Sequence, residues 1–91
     1  MAVTIEQVEK AFNEFQKEHN NNIPIKAIIV DKQEDYYGEQ DSEERTGIRI
    51  YGEYLAASGQ IVLVASSHNN NKPIEETIRH ELGGHYAINT F

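Results

Sequence analysis

The sequence predicts a small α+β domain, in which a three-stranded, largely antiparallel sheet packs with an N-terminal and a C-terminal helix. Amphipathic helical patterns lie near the two ends of the chain, and apolar, β-branched runs separated by turn residues lie between them. The 91 residues suffice for one domain with a single, marginally stable core. No internal repeat is found, so we expect residues 1–91 to form one unit.

The N-terminal helix is predicted to begin after Thr4. Gln7 follows three residues later, and this pair of residue types at this spacing is typical of a capping box. Apolar residues then recur at spacings of three and four as far as Phe15, with charged residues between them. The pattern predicts an amphipathic helix that ends near His19, where the asparagines at positions 20–22 close it.

Three apolar runs predict the strands of the sheet. The first run extends from Ile23 to Val30. The segment from Gly47 to Ala65 predicts a β-hairpin that turns near Ser58-Gly59, with Ile48 to Tyr51 alternating as a half-buried strand does. Its second arm, Ile61 to Ala65, is the most apolar run of the chain and is expected to be a central strand.

The segment between the first strand and the hairpin is strongly acidic. From Asp31 to Arg45 it holds seven acidic residues against two basic ones. Such a charge run is typical of a solvated loop. The adjacent Tyr36 and Tyr37 keep a second interpretation open, because aromatic residues among carboxylates are also typical of a contact surface.

Composition excludes several classes of function. The net charge of −7 opposes direct binding to a nucleic-acid backbone and suits a basic partner. The chain has no cysteine, so disulfides and thiolate zinc sites are excluded. The first residues lack the basic and apolar regions of a signal peptide, and no stretch is long enough to span a membrane, so we expect a cytoplasmic protein without membrane contact.

The strongest chemical signal lies in the C-terminal helix that Pro73 begins. It contains His80-Glu81-x-x-Gly84-His85, which combines two imidazoles with a neighbouring carboxylate. Imidazoles can hold a zinc ion, and a carboxylate can take a proton from a water molecule that the metal activates. The sequence therefore predicts a hydrolytic zinc site with His80 and His85 as ligands and Glu81 as the general base.

The spacing of the two histidines leaves two interpretations open. Histidines four residues apart lie about 40° from each other on a regular helix, whereas five apart they lie about 140° apart. A wide turn with one extra residue at Gly83-Gly84 would return both to one face. Alternatively, Gly83 ends the helix at Leu82, and His85 belongs to an unrelated tail.

A buried stripe favours the zinc interpretation. Ile74, Ile78 and Leu82 recur every fourth residue and predict the face that packs on the hairpin. His80 and Glu76 then project away from this stripe, toward a cleft.

The motif also resembles the active-site helix of zincin metallopeptidases that use the H-E-x-x-G-H variant, known from dipeptidyl peptidase III. It is more similar still to the metallopeptidase domain of large polyvalent proteins carried by phages and conjugative elements. The resemblance covers the segment from Gly59 to Tyr86. It implies that His80 and His85 bind Zn²⁺, that Glu81 is the general base, and that the chain is a zincin-like half domain.

The third zinc ligand is not evident. The resemblance implies an acidic ligand from a helix after the motif, and this chain ends at Phe91. Within the chain the candidates are Glu76, one turn before His80, and His68, in an asparagine-rich loop where an exposed side chain is expected. Another subunit or a downstream segment are the other sources, and without one of them we expect inefficient cleavage.

Two functions therefore remain open. The first is a zinc-dependent metallopeptidase acting on a peptide or protein substrate. The second is an inactive, acidic binding protein of a mobile genetic element, an inhibitor of host defence that binds a basic host protein. Stoichiometric zinc in the purified protein would favour the first.

Overall fold

A computed structural model describes residues 2–85 of the chain, and for His85 the backbone alone. The predicted α+β fold is confirmed within this range. The helices are α1 (Ile5–Glu18), α2 (Glu34–Tyr37), α3 (Glu43–Thr46) and α4 (Ile74–His80), and the strands are β1 (Lys26–Val30), β2 (Gly52–Leu55) and β3 (Gln60–Val64). Short 3₁₀ turns occupy Glu39–Asp41 and Ala65–Ser67, and a π-helical turn, Glu81–His85, continues α4. No helix in this range has the length and apolar character needed to cross a bilayer.

Helix α1 begins as the sequence predicts. The Thr4 hydroxyl accepts a hydrogen bond from the Gln7 amide, and the Gln7 side chain accepts one from the Thr4 amide, which completes the capping box. The helix ends at Glu18. Asn20 and Asn21 then adopt left-handed backbone angles, with φ of 57° and 55°, which asparagine tolerates better than most residues. This reversal leads the chain into the sheet.

The three strands form a mixed sheet in the order β1, β3, β2. Strands β2 and β3 are antiparallel, as the predicted hairpin requires, with Gly52 opposite Leu63. Strand β1 lies on the other side of β3 and runs parallel to it, with Ile28 opposite Val62. The central position predicted for the Ile61 run is confirmed, because residues 61–65 are completely buried.

The first arm of the hairpin starts later than predicted. The proposed strand from Ile48 to Tyr51 is wrong, because β2 begins only at Gly52 and Ile48 is 65 % exposed. Side chains take the place of a neighbouring strand here. The Ile50 amide donates to the Gln33 side chain, and the Ile50 carbonyl accepts from the Ser67 hydroxyl.

The acidic segment is folded around one buried side chain. Gln33 is 3 % exposed and donates from its amide nitrogen to the carbonyls of Asp41 and Ile48, at 2.8 and 2.9 Å. Its oxygen accepts from Ile50 at 2.9 Å. The segment is therefore not an irregular loop, although most of its carboxylates are exposed as predicted. Helices α2 and α3 form along it.

The core lies between the sheet and the two long helical segments. Phe12 and Phe15 of α1, Ile61 and Leu63 of β3, and the predicted stripe of α4 meet in one buried cluster. The stripe residues Ile74, Ile78 and Leu82 are 4 %, 1 % and 0 % exposed, so the predicted packing of the hairpin on α4 is confirmed. This packing fixes the position of the motif helix relative to β2.

Candidate functional site

Of the two interpretations of the histidine spacing, the wide turn at Gly83-Gly84 is the one that the structure contains. Helix α4 is regular from Ile74 to His80, and the next five residues, Glu81–His85, are π-helical. Hydrogen bonds of a π-helix join residues five apart, so backbone position 85 lies one turn after position 80. Neither Gly83 nor Gly84 has the positive φ of a left-handed cap. The alternative, a helix that ends at Leu82, is therefore wrong.

His80 faces away from the core, as the periodicity predicts. Its side chain is 70 % exposed, while Ile78 and Leu82 on the opposite face are buried. Its Nε2 atom lies 3.8 Å from Oε2 of Glu81, which is too long for a hydrogen bond. The imidazole predicted to hold the metal is thus beside the carboxylate predicted to act as the base. The side chain of His85 lies outside the described residues.

Glu81 is held at the free edge of the sheet. The Val64 amide donates to the Tyr51 carbonyl, which makes these two residues a hydrogen-bonded pair of the antiparallel ladder. Because such pairs alternate along antiparallel strands, the Tyr54 amide points away from β3. It donates instead to Oε1 of Glu81 at 3.2 Å. The Glu81 side chain is only 12 % exposed, so strand β2 fixes the direction of its carboxylate.

A cleft of about 340 Å³ opens between this edge and α4. Its lining includes His80, Glu81, Thr77 and Lys72 from the C-terminal part of the chain, and residues 49–52 before and at the start of β2. A larger groove of about 730 Å³ lies between α1 and β1, but no histidine lines it and Glu9 is its one carboxylate. The smaller cleft, and not this groove, is lined by His80 and Glu81 of the motif.

Glu76, a predicted candidate for the third ligand, is engaged with a lysine. Its Oε1 atom lies 2.8 Å from Nζ of Lys72, and its side chain is 58 % exposed. This hydrogen bond and the lysine charge lower the pKa of the Glu76 carboxyl below its usual range. A metal at Glu76 would have to compete with Lys72, in a solvated position one turn before His80.

His68, the other candidate, is buried, so the exposed loop side chain expected from the sequence is wrong. It has no exposed surface. Its Nδ1 lies 2.7 Å from the Val64 carbonyl oxygen and its Nε2 lies 2.7 Å from the Thr77 hydroxyl. Both nitrogens are thus engaged within the protein, and His68 does not serve as a metal ligand in this conformation. The reason is the turn after β3, which directs the ring inward under α4.

The described side chains do not complete a metal site by themselves. Among them, no group of three or more histidine, cysteine, aspartate or glutamate residues is placed to hold a metal ion. The two imidazoles and the neighbouring carboxylate still suit zinc in ligand type, and the π-helical turn suits it in backbone spacing. The predicted ligand His85 is not among these side chains, and a catalytic zinc ion normally has a third protein ligand besides two histidines.

A tyrosine of the acidic segment also reaches the edge of the sheet. The Tyr37 hydroxyl donates to Oε1 of Glu53 at 2.5 Å, which ties α2 to β2. Burial, reinforced by the Glu53 carboxylate, raises the pKa of Tyr37 well above its usual range. Tyr36 packs edge to face on Tyr37 and is 41 % exposed. Tyr37 therefore anchors the acidic segment to the sheet, whereas Tyr36 is exposed.

The sequence analysis did not identify two residues of the site, Thr77 and Gly52. Thr77 is 3 % exposed and binds His68, and Gly52 begins β2 directly against it. A β-carbon on Gly52 would lie 2.9 Å from Cγ2 of Thr77. A glycine inside a strand pattern is a known signal of such a close approach. Thr77 offered the weaker signal of lying three residues after Ile74, on the same helix face.

Comparison of the chain with models of protein families, with curated proteins and with solved structures finds no match.

Proposed function

We propose that this chain carries a zincin-type hydrolytic site that uses zinc to cleave peptide bonds. The observation that carries the proposal is the π-helical turn at Glu81–His85, because it removes the spacing objection to the motif. With regular helical geometry the two histidines would lie on different faces. With this turn, backbone positions 80 and 85 lie one above the other on the same face.

In this proposal His80 and His85 hold the metal and Glu81 handles the proton. Zinc, when bound, supplies a Lewis acid that lowers the pKa of water to about 7. Glu81 accepts the proton of the attacking water and passes it to the leaving amine. The Tyr54 amide, 3.2 Å from Oε1 of Glu81, keeps the carboxylate directed at the cleft throughout.

Zinc content and affinity test the proposal directly. We expect the purified chain to bind one zinc ion, and His80→Ala and His85→Ala to weaken binding by at least about 10 to 100-fold, the loss typical of even an outer-shell partner. His19→Ala is the matched control, because His19 lies at the end of α1 and contacts the Phe15 carbonyl. A wild-type protein that takes up no zinc would contradict the proposal.

A deletion tests the turn itself. Removing Gly84 converts the motif to four-residue spacing, which places both histidines on one face of a regular helix. We expect this variant to retain zinc. Insertion of an alanine at the same point should abolish binding, because six residues match neither geometry. Equal zinc affinity of the deletion and insertion variants would contradict the role of the turn.

The catalytic role of Glu81 needs a separate measurement. Glu81→Gln should leave zinc affinity within about threefold of wild type and abolish chelator-sensitive peptide cleavage, because the amide cannot accept the proton. Cleavage also depends on a third protein ligand besides the two histidines. Undiminished cleavage by Glu81→Gln would exclude Glu81 as the base.

A second candidate is binding of a basic protein partner through the acidic segment. The observation that favours it is the order that Gln33 imposes, because the carboxylates project from short helices. Asp35, Glu39, Glu43 and Glu44 are exposed on this surface. A lysine- and arginine-rich peptide should then bind the metal-free chain with strong salt dependence. Replacing these four residues by glutamine or asparagine should abolish the binding, and unchanged binding would exclude this surface.

A further inference from the structure

The buried His68 connects three parts of the fold that meet below the cleft. Its Nδ1 contacts the Val64 carbonyl at the end of β3, and its Nε2 contacts the Thr77 hydroxyl in the middle of α4. The main chain of His68 also accepts a hydrogen bond from the Val3 amide, at 3.2 Å. One side chain therefore links the central strand to the motif helix.

The partners determine the tautomer of His68. A carbonyl oxygen can only accept a hydrogen bond, so the proton of the neutral ring is on Nδ1 and is donated to Val64. Nε2 then accepts the hydroxyl hydrogen of Thr77. Both ring nitrogens are satisfied in this state, which is the requirement for a buried imidazole. In the neutral tautomer, His68 is therefore a donor to β3 and an acceptor from α4.

Thr77 transmits this link to the edge of the sheet. Its methyl group packs on Gly52, where a β-carbon would come within 2.9 Å of it. Thr77 lies one turn before Glu81 on the same helical segment. Two residues beyond Gly52, the amide of Tyr54 donates to Glu81. The position of Thr77 therefore sets the distance between α4 and β2. Glu81 reaches the Tyr54 amide across this distance.

We infer that His68 is a positioning residue for Glu81, holding α4 through Thr77 so that the Glu81 carboxylate stays at the Tyr54 amide. The inference rests on the proposed function in that Glu81 is the base. The contacts themselves are independent of any metal. His68 thereby acts on the site without touching substrate or zinc.

Amide hydrogen exchange in the metal-free full chain tests the inference. The Tyr54 amide reports the contact with Glu81, and the amide of the fully buried Leu63 reports opening of the whole sheet. The measured quantity is the ratio of the Tyr54 rate to the Leu63 rate. A role limited to general stability would raise both rates together and leave this ratio unchanged.

A matched pair of substitutions at position 77 separates the two groups of the threonine. Thr77→Val keeps the shape and removes the hydroxyl, which leaves Nε2 of His68 buried without a donor, and the ratio should rise about tenfold. Thr77→Ser keeps the hydrogen bond to His68 and removes the methyl group that packs on Gly52, so the ratio should rise here too, and an unchanged ratio would exclude transmission through Gly52. Glu81→Ala gives the value for complete loss of the contact.

A second variant tests the other end of the link. His68→Phe keeps a ring of similar size and removes both hydrogen bonds, so the ratio should rise as it does for Thr77→Val. An unchanged ratio in Thr77→Val or in His68→Phe would overturn the inference. The proposed function fails separately, by absence of zinc binding in the wild-type chain.

Discussion

The close contact of Gly52 with α4 gives the sharpest prediction for stability. Substitution by alanine would place a methyl group 2.7 Å from the carbonyl oxygen of Val62 and 2.9 Å from Cγ2 of Thr77. Both distances are far below an ordinary carbon contact of about 3.5 to 4 Å. The nearer atom belongs to the backbone of the central strand, so no side-chain rotation relieves it. Strand β2 must move away from β3 or from α4.

We expect Gly52→Ala to lower the free energy of unfolding by roughly 2 to 3 kcal/mol, the upper part of the range for overpacked sites. For a domain of this size the melting temperature should fall by about 10 to 20 °C. Urea unfolding followed by circular dichroism measures the difference. Adding Thr77→Ser should restore less than half of the loss, because it removes the contact with Cγ2 and leaves the contact with the Val62 carbonyl.

Gly84→Ala is the matched control. It adds the same methyl group at a position where no heavy atom of the described residues lies within 4 Å. Its effect should stay within about 1 kcal/mol, the helix preference of alanine over glycine. If Gly52→Ala is as stable as Gly84→Ala, the close packing of β2 on α4 is refuted.

Three further outcomes follow from buried groups of the fold. Burial lowers the pKa of His68, so the neutral ring contributes fully to stability above the unfolded pKa of about 6.5, and this contribution is lost as the pH falls below that value. Unfolding measured at several pH values should therefore show that wild type loses more stability on acidification than His68→Gln does. The raised pKa of Tyr37 should appear in an ultraviolet titration as a midpoint above the usual tyrosine range, and Glu53→Gln should bring this midpoint closer to that range. An unchanged midpoint would exclude the contact. Gln33→Leu removes three part-buried hydrogen bonds, so it should cost about 2 to 3 kcal/mol and release the acidic segment to limited proteolysis. A variant as resistant to the protease as wild type would contradict this.

The elements that the sequence predicted correctly depend on local interactions. The capping box at Thr4 joins residues three apart, and the stripe of Ile74, Ile78 and Leu82 follows from the helical period. The wide turn at Gly83-Gly84 was one of two local interpretations that the sequence left open, because a five-residue spacing of two motif residues requires it only if they share a face. The candidate site on the motif helix could be named for this reason.

The errors of sequence interpretation concern contacts between residues distant in the chain. Ile48 and Ile50 alternate as a strand would, but their backbone groups are bound by Gln33, 15 and 17 residues earlier. A glutamine in an acidic segment carries no signal that it will be buried. The asparagines near His68 predicted exposure, whereas the ring lies under a helix that begins six residues later.

The sequence by itself determined where the two long helices and the central strand lie, and which residues form the candidate hydrolytic motif, because each of these depends on periodicity or spacing within one segment. Only the tertiary structure decided that β1 pairs parallel to β3, that His68 supports α4, and that Glu81 meets the Tyr54 amide 27 residues away. These contacts depend on how the segments pack. Packing minimises buried unsatisfied groups across the whole domain, and no local pattern records its outcome.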